Sequence, residues 1–119
     1  IRYKMEPAFT DSFWETNQDT VDEIVAERQV SDASEQARQW QAAAVEAFDG
    51  RDRLDEFDLP TLVMHGERDR VLPVENGRQL AEAIPNAESA FFDEGGSHLF
   101  FVERNETVND RLVEFLESV

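Results

Sequence analysis

Between Thr61 and Phe92 the residue pattern changes period twice, and this limits the fold more than any other feature of the chain. Thr61-Leu62-Val63-Met64-His65 is a continuous apolar run of β-forming residues, opened by Pro60. Glu75 to Ile84 then brings Leu80, Ala81 and Ile84 to one side at helical spacing and stops at Pro85-Asn86, after which Ser89-Ala90-Phe91-Phe92 is strand-like again. Strand, helix and strand joined by short loops admit few topologies: the two strands lie side by side and parallel, linked by right-handed crossovers. Runs apolar throughout are expected to be covered on both faces. A last helix, starting at Asn105 or Thr107, carries a stripe of Val108, Leu112, Phe115, Leu116 and Val119. The fold class is therefore α/β. Two parallel strands alone are not a stable sheet, so the open edge needs a cover, either polypeptide outside these residues or a second copy. Self-association through the sheet edge or the apolar helix faces is expected.

The preceding half is helical in pattern. Thr20-Val21-Asp22-Glu23 forms a capping box ahead of Val21, Ile24 and Val25. Asp32 and Glu35 are candidate caps for a second helix, along which Ala33, Ala37, Trp40, Ala44 and Phe48 recur and after which Gly50 supplies a stop. Phe9, Phe13 and Trp14 form an aromatic cluster ahead of both, with packing as its expected role. Asp49 to Leu59 is a charged connector. The division expected is residues 1–58 as helices plus connector and 59–119 as the α/β segment.

The chain of 119 residues holds 27 acidic and 11 basic side chains, for a net charge of −16. Residues 1–58 contain 15 acids and 6 bases, and residues 59–119 contain 12 and 5, so the charge is spread rather than blocked. No basic stripe is present to follow a nucleic-acid backbone, so no nucleic-acid partner is expected. Lys4 is the one lysine; the other ten bases are arginine. An evenly acidic, lysine-poor surface suits molar salt, where the Debye length falls to roughly 3 Å and self-repulsion is screened. A halophilic origin is expected. With no cysteine there is no disulfide and no thiolate metal site; with no run of eighteen apolar residues, no membrane-spanning helix is read, nor is there a basic-then-apolar leader, so a cytoplasmic location is the expectation.

In open α/β sheets reactive groups gather beyond the carboxyl ends of the strands. Asp69 follows the first run by four residues and His98 the second by six, so both arrive at one rim. An aspartate bonded to one imidazole nitrogen fixes the tautomer and leaves the other nitrogen free to take a proton from a nucleophile. Gly95-Gly96 allow a tight loop that turns the His98 ring inward. Other candidates have plainer readings: His65 as a packed or hydrogen-bonded core histidine, Glu67 as a fallback acid, Glu94 as a solvated loop charge, and Phe100 and Phe101 as packing under the loop. No His/Asp/Glu cluster has metal-ligand spacing and no Gly-rich loop suits a phosphate, so neither metal nor cofactor is expected.

These motifs together resemble the C-terminal part of an α/β-hydrolase fold protein. Pro60 to Asp69 is similar to the strand leading into that family's catalytic acid, Val71-Leu72-Pro73 to the turn after it, and Gly95-Gly96-Ser97-His98 to the loop bearing its histidine. The chain order, acid before histidine, agrees. The resemblance implies Asp69 as triad acid and His98 as triad base, with residues 9–58 similar to the end of the family's helical cap. Asp49-Gly50-Arg51-Asp52-Arg53-Leu54 resembles the cap-to-core link of enol-lactonase-like and esterase-like members, which implies hydrolysis of a small carboxylic ester or lactone. Epoxide hydrolases, dehalogenases, C–C bond hydrolases and cofactor-free haloperoxidases share the same acid and histidine and stay open, as does a truncated, non-catalytic interaction protein. The chain has no G-x-S-x-G nucleophile elbow. Neither Ser89 nor Ser97 lies in such a turn, so this chain alone is expected to be inert, since loss of the nucleophile costs on the order of a million-fold in rate.

Overall fold

A computed structural model describes residues 2–119. Short helices α1 (Arg2–Met5), a 3-10 turn (Glu6–Ala8) and α2 (Asp11–Thr16) precede two longer ones, α3 (Gln18–Ser31) and α4 (Glu35–Ala47). A second 3-10 segment (Arg51–Glu56) runs through the charged connector into β1 (Thr61–Gly66), α5 (Val74–Ala83) and β2 (Ala87–Phe92). The chain closes with α6 (Phe100–Glu103) and α7 (Asn105–Ser118). The strands are parallel neighbours, paired from Thr61 with Ala87 to Gly66 with Phe92. This is the expected α/β segment, with each strand one or two residues longer than its apolar run. No helix among the described residues is long and apolar enough to cross a membrane.

The helix starts in the first half differ from expectation. Thr20 lies inside α3, not at its cap: the helix reaches back to Gln18, and Asn17 marks the break from α2. The Asn17 amide turns back to the Phe13 carbonyl and the Thr16 hydroxyl, so local side-chain bonding at Asn17 sets the boundary. Ser34, rather than Asp32, caps α4 by accepting the Ala37 N–H at 3.2 Å. Asp32 ends α3 in extended backbone and binds Arg38 instead. Helix α4 stops at Ala47 with Phe48 extended, and Gly50 is not a left-handed stop. Its missing side chain leaves room for the Phe48 ring, which a Cβ would meet at 2.9 Å.

Burial is also unevenly distributed. The largest core cluster is Met5, Ala8, Phe9, Val21, Val25 and Leu99, flanked by Phe13, Trp14, Ile24 and Val102. Phe9 is 1% exposed and stacks on Phe13 with ring centroids 5.4 Å apart, which gives the aromatic cluster its packing role. The core thus lies between the N-terminal helices and the segment after His98. The strands are not covered on both faces as their sequence suggested: only Val63 and Gly66 are buried in β1, and Glu88 and Ser89 of β2 are exposed. With a single neighbour, each strand keeps an unpaired edge. In α7, Val108 and Phe115 are buried while Leu112 and Leu116, with Val119 just beyond the helix, remain open to solvent.

Candidate active site

At the carboxyl end of the sheet two loops are stitched together by backbone. The Glu67 N–H donates to the Phe92 carbonyl and the Arg68 N–H to the Gly96 carbonyl, both at 2.8 Å, so the exit of β1 is bonded to the exit of β2. The approach leaves no room for side chains: a Cβ on Gly66 would lie 2.2 Å from the Gly96 oxygen, and one on Gly96 would lie 1.6 Å from the Phe92 oxygen. Gly95 adopts φ +66°, a left-handed conformation open to glycine. These glycines bring His98 over the end of β1.

The structure brings Asp69 and His98 together. His98 Nδ1 lies 2.9 Å from Asp69 Oδ2. The other carboxylate oxygen, Oδ1, accepts the N–H groups of Val71 at 2.7 Å and Leu72 at 2.8 Å, so the turn after Asp69 holds the acid in place. Burial by itself would push the carboxyl up, but the Leu72 N–H, the His98 ring and the Val71 N–H together outweigh it, and Asp69 titrates below its ordinary value. An ionised Asp69 makes Nδ1 of His98 the protonated nitrogen and leaves the Nε2 lone pair available as a base. The Asp69 side chain is 4% exposed and that of His98 32%, so the carboxylate is enclosed and the imidazole reaches solvent.

The remaining candidates separate clearly. Glu67 is held by Arg78 at 2.8 Å, and that guanidinium lies over the Phe91 ring; this turns the fallback acid toward α5. Glu94 is 90% exposed and 3.8 Å from Arg104, a solvated charge as expected. Ser97 is 1% exposed, and its hydroxyl has no partner among the described residues. His65 is a half-buried core histidine with its Nε2 3.4 Å from Asp69 Oδ2.

Three latches beside the site had no signal in the sequence pattern. Arg70, next to Asp69, donates to the carbonyls of Glu6 and Phe9 and pairs with Asp11 at 3.0 Å. Leu99, next to His98, donates its N–H to the Ala8 carbonyl at 2.9 Å. Glu103 accepts both the N–H and the hydroxyl of Thr10 at 2.7 Å. Residues 6–11 therefore grip the loops that carry Asp69 and His98. Each latch pairs residues about sixty or more positions apart, beyond what local periodicity can reveal.

Known proteins share this arrangement of elements. Residues 23–119 match the model of a family of α/β-hydrolases described as TAP-like protein. Among curated proteins, the non-heme chloroperoxidase CPO-A1 of Kitasatospora aureofaciens is 42% identical over 80 residues, 62% of this chain and 29% of that protein. Among solved structures, an esterase from Exiguobacterium antarcticum superposes with a TM-score of 0.67 at 30% identity, over 73% of this chain and 32% of the esterase. Est816, described as an N-acyl homoserine lactone degrading enzyme, superposes with a TM-score of 0.77 at 29% identity, over 96% of this chain and 45% of its own. The chain spans under half the length of each of these proteins. By fold, rim geometry and family match over residues 23–119, this chain belongs to the TAP-like protein family of the α/β-hydrolase superfamily.

Proposed function

We propose that this chain supplies the acid and base of a Ser-His-Asp centre that hydrolyses small carboxylic esters or lactones, the serine coming from polypeptide outside these residues. The observation that carries the reading is the 2.9 Å contact between His98 Nδ1 and Asp69 Oδ2, with Nε2 left without a protein partner among the described residues. As a serine oxygen bonds to the carbonyl carbon, its proton passes to His98 Nε2, and Asp69 stabilises the imidazolium. The tetrahedral intermediate collapses by breaking the bond to the leaving oxygen, which takes that proton and departs as an alcohol. In a lactone it remains attached as a ring-opened hydroxyl. Water then attacks the acyl-serine, giving its proton to His98, and the acid is released with the serine restored. The likeness to an esterase and to a lactone-degrading enzyme supports this substrate class.

The likeness to a chloroperoxidase favours one second reading, cofactor-free haloperoxidase chemistry on the same acid and base. The two are separated by assaying a protein extended N-terminally through a serine elbow, in molar salt, for p-nitrophenyl ester hydrolysis and for peroxide-dependent halide oxidation. Ester turnover that falls at least 10³-fold in His98→Ala is expected. An unchanged rate in His98→Ala, or measurable turnover by the 119-residue chain alone, would overturn the assignment. The evenly acidic, lysine-poor surface supports a high-salt setting. The unpaired strand edges and the exposed apolar residues of α4 and α7 support self-association of the isolated chain.

A further inference from the structure

We propose that His65 is a positioning residue that completes the cradle of Asp69 by donating its Nε2–H to the same oxygen that His98 uses. This rests on Asp69 acting as the partner of His98, and adds a group to that pair. Asp69 Oδ1 takes two N–H donors and Oδ2 takes His98, so three of roughly four acceptor positions on the carboxylate are filled without His65. With the side chain 4% exposed, little water can reach the fourth, and His65 Nε2 stands there at 3.4 Å. The distance is longer than an ordinary N–H···O bond, so this is the weakest of the four contacts.

The ring is not there by chance of rotation. His65 is the fifth residue of β1, and α5 presses on it from the side: a Cβ at Gly77 would lie 3.0 Å from His65 Cβ, 3.2 Å from Cγ and 3.3 Å from Nδ1. Gly77 is buried, and its lack of a side chain is what lets the imidazole stand against the helix. From β2 the register partner of His65 is Phe91, which cannot ionise. Asp69 is the one ionisable group bonded to His65 among the described residues. The consequence is a carboxylate held between two imidazoles. His98 can rise to imidazolium and fall back, while His65 stops the carboxylate from rotating away.

The test needs no turnover, so its outcome is separate from that of the ester assay. In the 119-residue chain, 15N NMR of the histidine rings at neutral pH should show His65 as the Nε2–H tautomer. An Nδ1–H tautomer at His65 overturns the proposal without any variant. His65→Leu should raise the titration midpoint of the Asp69 carboxyl carbon by about one pH unit, the size of one hydrogen bond to a charged group, and should move the His98 Nδ1–H resonance. His65→Gln, which keeps an amide donor, should restore at least half of both changes. Equal shifts in the Leu and Gln variants would reduce His65 to packing, and no shift in either would remove it from the site.

Discussion

Helices α3 and α4 are nearly the same length, 14 and 13 residues, and both have apolar residues at helical spacing, yet they have opposite fates. Helix α3 buries Val21 completely and Val25 almost so, whereas α4 buries nothing and leaves Trp40 and Val45 in solvent. The apolar content favours α4, which holds a tryptophan and five alanines. What differs is the partner. Helix α3 packs beside Phe9 and Leu99, in the half of the molecule that residues 6–11 fasten to the site loops through Arg70, Leu99 and Glu103. No corresponding fastening joins α4 to the sheet among the described residues. An apolar stripe on a helix is thus a capacity for burial, and the contact that uses it has to come from elsewhere in the fold.

The widest gap between the two regions should appear on truncating one aromatic side chain in each. Phe9→Ala removes a ring from the centre of the core and should cost about 3–5 kcal/mol. Trp40→Ala, at 68% exposure, should stay within about 0.5 kcal/mol of the parent. Urea denaturation of the two variants measures both, and similar losses would mean that α4 has a buried contact in solution.

A smaller contrast lies in two aspartates. Both titrate below 3.8: Asp69 through its loop N–H groups and His98 against the pull of burial, and Asp49 at about 2 through its bonds to Arg51. A carboxylate whose folded value is depressed contributes stability above its unfolded value, and loses it as pH falls through the folded one. Only Asp69 is enclosed, so only it should show this strongly. Between neutral pH and about pH 2, the stability of Asp69→Asn should fall less steeply than that of the parent. Asp49→Asn should follow the parent curve, because exposed pairs are screened by solvent. Parallel slopes for the parent and Asp69→Asn would break the distinction.

The smallest expected difference between the regions is their response to salt, because the charge is spread across both. Raising sodium chloride from dilute to molar should raise the melting temperature of the chain by several degrees as acid–acid repulsion is screened. Light scattering in the same buffers should show a species larger than 13.7 kDa. A salt-independent melt would remove the halophilic reading, and a monomer in molar salt would remove self-association.

Much of the candidate site was legible because its determinants are local. The β-rich run before Asp69, the glycines before His98 and the order of strands and helix are each set within about ten residues, and they place both groups at one rim. The helix starts were less legible, since Thr20, Asn17, Asp32 and Ser34 all carry side chains able to cap. The choice among them depends on where the neighbouring turn bends. His65 lies four residues from Asp69, and its type and spacing were visible, but its approach to Oδ2 uses the space that the missing side chain of Gly77 in α5 leaves beside the ring.

The sequence by itself determined the α/β order, the parallel pairing, the arrival of Asp69 and His98 at one rim, and the absence of a serine elbow in these residues. Periodicity, turn chemistry and residue type suffice for these because each is a short-range property of the chain. Only the tertiary structure decided where the core lies, which helix is buried, that Arg70, Leu99 and Glu103 tie residues 6–11 to the site, and that Asp69 stands between two histidines. Those outcomes depend on contacts between residues far apart in the chain, whose closure is governed by the packing of the whole domain rather than by any segment of it.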